Sequence, residues 1–181
     1  MATGLERWFT ARTLEDLGEL TAQWLEGRIT FLPTYAVDTP AAETEGLIAH
    51  LAAFNRAGYL TTESQPGVPF DGHDGQRAFV SGFAGEATVD AVEAAILGTR
   101  LIALVTPTGR DNPFHIPVTV MEEAPCSFIG PAYSRNDLVA YYTPSCPLAV
   151  PALLNAQQLE VFDPEWGDNH LLWDTLAKAL K

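Results

Sequence analysis

Cysteine is scarce. Cys126 and Cys146 are the only two in 181 residues and form no metal-spaced pair, so a thiolate-built zinc site is excluded and both are expected to be free thiols in a reducing compartment. Basic residues are also few, 10 against 23 acids, for a formal net charge of -13. Binding a nucleic-acid backbone needs clustered Lys and Arg, and is therefore not expected. No run of ~18 apolar residues is present to cross a bilayer. The stretch Met1 to Arg7 lacks the basic and apolar regions of a secretory leader, so a cytoplasmic protein with no membrane partner is expected. The chain has no Walker-type loop, G-x-G-x-x-G, G-x-S-x-G, H-E-x-x-H or C-x-x-C. The familiar nucleotide, serine-nucleophile, metalloprotease and redox machineries are thereby set aside, and no motif names a cofactor.

What is present is a chain with 47% hydrophobic residues, long enough to form one domain with a substantial core. The charge suits solubility, a basic partner or mimicry of DNA, and because the acids are scattered rather than blocked, solubility is the plainest reading.

Helices and strands interleave. Thr13 is placed to cap a helix with Leu14, Leu17, Leu20 and Trp24 at helical spacing, ended by Gly27. Ile29 to Leu32 reads as an edge strand or packed loop. Pro40 opens a helix with Leu47, Leu51 and Phe54 on one face, closed by Gly58. Strands follow at Tyr59 to Thr62 and Arg77 to Phe83, then a helix capped by Thr88 and ended by Gly98. The near-continuous apolar run Arg100 to Thr106 has the pattern of a central strand covered on both faces. His115 to Met121 is expected to pair with it as a hairpin, at an edge because of Pro117. Asp137 to Thr143 reads as another strand, Pro147 to Asn155 as a short helix or irregular segment and Leu159 to Phe162 as a short strand. Asp168 is placed to cap a final helix carrying Leu172, Leu176 and Leu180. The order predicts a single α/β or α+β domain over residues 1–181, a mixed β-sheet packed by three to four amphipathic helices.

The most chemically dense stretch is the end of the first strand and the loop after it. Glu63, Ser64 and Gln65 precede a Pro-Gly turn, Asp71, His73 and Asp74 lie in the following loop, and Gln76 and Arg77 begin the next strand. If the two strands pair, these groups converge on a small polar or anionic ligand. Ser64, Gln65, Gln76 and Arg77 would bind it, and Glu63 and His73 would move a proton. The plainer explanation gives Ser64 and Gln65 to turn amides and Arg77 to a neighbouring acid. Cys146 would need His115 or His170 beside it to act as a nucleophile. A metal at Asp71, His73 and Asp74 would need His115 or Asp111 to complete it, so no metal site is assigned. Trp8, Trp24, Trp166 and Trp173 are more simply core than a stacking surface.

The order Asn55-Arg56-Ala57-Gly58-Tyr59-Leu60-Thr61-Thr62, with Ser64-Gln65-Pro66-Gly67, Gln76-Arg77-Ala78 and Gly82-Phe83, resembles a family of small actinobacterial, Streptomyces-type proteins of unknown function. Phe162-Asp163-Pro164 and Leu172-Trp173 extend the likeness over most of the chain. The resemblance implies no mechanism. Two functions stay open: a small hydrolase or transferase acting at the 63 to 77 region, or a noncatalytic acidic protein that binds or inhibits a basic partner.

Overall fold

The computed structural model describes residues 5–33, 37–168 and 170–181; Met1 to Gly4, part of the stretch read for a leader, lie outside them. Helix α1 spans Leu5–Thr10 and α2 spans Leu14–Leu25. The start of α2 follows from its sequence: the Asp16 amide donates to Thr13 Oγ1 at 3.1 Å, and the Asp16 carboxylate accepts from the Arg12 and Thr13 amides, a reciprocal cap. Leu17, Leu20 and Trp24 are buried. The helix expected from Pro40 starts later, as a 3-10 turn over Ala42–Leu47 followed by α3 (Ile48–Arg56). No side chain caps the start of that turn, whereas Leu47, Leu51 and Phe54 are buried as the spacing requires.

Six strands form the sheet: β1 (Tyr59–Gln65), β2 (Gly75–Ala84), β3 (Ile102–Pro107), β4 (Ile116–Met121), β5 (Ala124–Ile129) and β6 (Gln157–Trp166). The order is β3-β6-β2-β4-β5, with β1 also on β2. Among the described residues every ladder is antiparallel, so the fold is α+β. Between strands come α4 (Glu86–Ile96), α5 (Arg135–Tyr142) and α6 (Val150–Asn155), and α7 (Leu171–Ala179) ends the chain. No helix among the described residues is long and apolar enough to cross a membrane.

Strand β2 changes partner along its length. Gly75 and Gln76 pair with Val120 and Thr119 of β4, whereas Phe79 to Ala84 pair with β1. The other side of β2 is held by β6 from Arg77 opposite Trp166 to Ala84 opposite Gln157. The seam between β1 and β4 therefore falls at Arg77 and Ala78.

Several expectations from sequence are corrected. Residues 135–142 form a helix because Ser134 and Asp137 make a reciprocal cap and Leu138 and Tyr142, one turn apart, are the buried positions; burial at helical spacing overrides the strand preference of Val139 and Tyr141. Strand β3 lies at the sheet's edge against β6, not at its centre, and Ile102 is exposed. It makes no hairpin with β4. That hairpin comes one strand later, joining β4 to β5 through Glu122 and Glu123, both at positive φ (51° and 66°). Non-glycine residues tolerate this when held from outside: the Glu122 amide donates to Asp74 Oδ1 at 2.8 Å and the Glu123 amide to the His73 carbonyl at 2.9 Å. Strand β4 lies inside the sheet, with β5 as the edge beyond it. The short strand expected at Leu159 to Phe162 is the ten-residue β6, flanked by β2 and β3. Helix α4 begins at Glu86, so Thr88 lies within it, and Gly85 occupies the cap position. Asp168 takes the His170 and Leu171 amides on Oδ1 at 2.7 and 3.2 Å at the start of α7.

Candidate functional site

The site is built where β1, β2 and β6 run side by side. One extra residue in β1 is absorbed as a bulge between Thr61 and Glu63, so Glu63 stands opposite Ser81 instead of Val80. Asn55, fully buried at the end of α3, fixes the bulge: its Nδ2 donates to Thr61 Oγ1 at 2.6 Å and its Oδ1 accepts from the Thr61 amide at 3.1 Å. Gly82 is required opposite, because a Cβ there would lie 2.0 Å from the Leu60 carbonyl oxygen.

Ser81 in turn faces Glu160 of β6. Directly opposed residues share a face of the sheet, so Glu63, Ser81 and Glu160 form a row across three strands. Glu160 is 4% exposed. Both its carboxylate oxygens accept from the Gly130 amide, at 3.2 and 3.0 Å, and Ser81 supplies a further hydrogen bond. Burial nevertheless pushes its pKa up, with the nearby Glu63 charge acting in the same direction. Gln158, two residues earlier on the same strand, binds the loop over the row: its Nε2 donates to the Pro131 carbonyl and its Oε1 accepts from the Tyr133 amide, both at 3.0 Å.

Tyr133 leans over the row between Phe83 and Tyr141. Its hydroxyl donates to Glu63 Oε1 over 3.5 Å. Burial, with Glu63 next to it, pushes the phenol to about 12, so it remains a donor at neutral pH. These groups line a pocket of about 380 Å³. A second cleft of about 500 Å³ adjoins it, walled by Trp24, Leu25, Leu32, Leu51 and Phe79, and Glu63 and Phe128 line both. Among the described residues no Lys, Arg or His lines either one.

Of the residues singled out from sequence, the structure brings Glu63, Ser64 and Gln65 to the larger cleft. Gln65 bridges the seam in the sheet: its Nε2 donates to the Arg77 and Val118 carbonyls at 2.9 and 3.0 Å, and its Oε1 accepts from Thr119 Oγ1 at 2.9 Å. Arg77 points elsewhere. Its Nε donates to the Pro164 carbonyl, its second nitrogen to the Pro117 carbonyl, and the guanidinium lies 4.4 Å over the Trp166 ring. Burial lowers its pKa. Gln76 is half-buried, with its Oε1 enclosed and unpartnered. His73 is exposed, its Nδ1 3.0 Å from Glu123 Oε1. Asp71 Oδ1 accepts from the His73 and Asp74 amides, which makes this loop a self-closed turn. Among the described residues no group of three or more His, Cys, Asp and Glu side chains is placed to hold a metal ion. The Cys146 thiol is buried, which pushes it up to about 12. Trp8, Trp24 and Trp173 are buried in the main core.

Ser81, Tyr133, Gln158 and Glu160 were not singled out from sequence. One signal was there: Glu160 interrupts an apolar run, Leu159 to Phe162, and a carboxylate inside such a strand has to be satisfied or functional.

The chain belongs to the family described as a domain of unknown function, DUF6919, whose model matches residues 4–181. No curated protein matches it.

Proposed function

We propose that this protein binds a small polar ligand over the Glu63, Ser81 and Glu160 row and acts on it by proton transfer, as a small hydrolase or transferase. The observation that carries the reading is Glu160, a carboxyl enclosed at the centre of the sheet whose pKa is raised, beside an exposed second carboxyl on the wall of the same pocket. Two acids in unlike environments divide naturally into a proton donor and an ionised partner. Glu160 is the proton donor, Glu63 accepts a proton or stabilises positive charge, and the Tyr133 hydroxyl orients the ligand. Ser64 borders the approach, while Gln65, Gln76 and Arg77 frame the strands that carry it. Because no cation among the described residues lines the pocket, a neutral or positively charged ligand is favoured over an anion. It keeps the actinobacterial, cytoplasmic setting expected from sequence.

The test is a thermal-shift screen of amines, sugars, amino acids and nucleosides on the wild type and on Glu160→Gln, since a ligand bound only by the folded state raises apparent stability. A hit lost in Glu160→Gln and kept in Arg77→Ala supports the acid pair as the site. A hit lost in Arg77→Ala alone overturns it.

A further inference from the structure

The 500 Å³ cleft presents more apolar than polar surface, with Trp24, Leu25, Leu32, Leu51 and Phe79 alongside polar residues such as Glu43 and Thr44, whereas the adjoining pocket is mainly polar, and the two meet at Glu63 and Phe128. Its volume is that of sites which enclose small organic molecules. Trp24, Leu25, Leu32 and Leu51 belong to the main core and Phe79 to the smaller one beneath β4 and β6, so the walls are preformed. A fully polar molecule held at Glu63 would leave this surface wet, and a carboxylate head would face the carboxyl groups of Glu63 and Glu160 with no lining cation among the described residues to pair it. A molecule with a positive head and a hydrocarbon body matches both parts at once.

We infer that the ligand is an amphipathic organic amine, with its ammonium group against Glu63 and Glu160 and its chain or ring in the apolar cleft. The inference rests on the site reading above and adds the class of ligand. Glu63, at the junction, is the one acid that touches both halves, so it sets where the head ends and the body begins.

Calorimetric titration of the full chain with ethylamine, butylamine, hexylamine and octylamine tests it, with 1-octanol and octanoate as neutral and anionic probes of matched length. Affinity should rise roughly fourfold per methylene until the cleft is full. Octylamine should bind at least about tenfold tighter than 1-octanol, and octanoate should bind more weakly than either. Ser127→Trp, at an exposed strand position on the cleft wall, should flatten the length dependence and leave short-amine binding intact. Thr44→Trp fills the cleft from another wall and repeats the test should the first variant lose its circular dichroism. Equal affinity for butylamine and octylamine, both lost in Glu160→Gln, overturns the inference and leaves the acid pair standing. Equal binding of octylamine and 1-octanol, unaffected by Glu160→Gln or Glu63→Gln, overturns both. Failure of all the probes to bind overturns the inference, as does a dimer that Ser127→Trp converts to monomer by light scattering, since a second copy then covers the cleft.

Discussion

Replacing Gln65 tests whether the seam in the sheet is held by side-chain hydrogen bonds. Gln65 is 8% exposed, and its amide makes three contacts, to the Arg77 carbonyl, the Val118 carbonyl and the Thr119 hydroxyl. Gln65→Leu keeps the volume and deletes all three. At the low end of the cost of leaving a buried polar group without its partner, ~1 kcal/mol each, the loss is about 3 kcal/mol. Gln65→Ala adds two buried methylenes at ~0.8 kcal/mol each, for a total near 4 to 5 kcal/mol. Thr119→Val deletes one contact and should cost about 1 kcal/mol. The double variant should show coupling of about 1 kcal/mol between the two positions. Urea unfolding followed by circular dichroism measures all four, and Gln65→Leu should lower the melting temperature by roughly 6 to 12 °C. A Gln65→Leu cost below about 1 kcal/mol would refute the reasoning, because the two half-sheets would then be joined by β2 and packing alone.

Glu160 sets a pH dependence. Its folded pKa is raised, so its protonated form contributes stability that is complete below the ordinary carboxylate range and is lost as pH rises through the raised value. Glu160→Gln should remove that loss, making the variant relatively more stable at pH 8 than at pH 4 in parallel thermal melts. Gly82→Ala places a Cβ 2.0 Å from the Leu60 oxygen, and should cost at least about 3 kcal/mol, or prevent folding, in the same urea assay. Wild-type stability in that variant would mean that the strands separate there at little cost. Arg77→Ala loses two carbonyl contacts and its stack on Trp166; about 2 to 3 kcal/mol of stability should go, with ligand affinity unchanged by titration.

The local rules written in the sequence were the legible ones. Thr13, Asp16 and the Leu17, Leu20, Trp24 stripe specify α2 whatever it packs on, and the fold class followed from interleaved patterns of that kind. Signals whose meaning depends on distant partners were not legible. Val139, Tyr141 and Tyr142 favour a strand until Ser134 and Asp137 cap a helix around them. Glu122-Glu123 carries none of the usual turn residues, because the force holding its positive φ comes from Asp74 and His73, some fifty positions away. The site shows the same division. Glu63 was found because it crowds with polar neighbours in sequence, whereas Ser81 and Glu160 join it only when three strands align. Arg77 drew notice as a cation near acids, and its partners proved to be backbone carbonyls from β4 and β6.

The change of partner along β2 also bears on how the molecule fluctuates. The backbone ladder that joins the β4 and β5 hairpin to β2 has only two pairs, at Gly75 and Gln76, while β6 is clasped on both sides over most of its length. Opening events of low free energy therefore concentrate in the hairpin, and its amides exchange with solvent ahead of those in β6. Ser127 and Phe128, which wall the apolar cleft, ride on that hairpin. The hairpin wall of the cleft is therefore expected to open more readily than the strand that carries the buried acid.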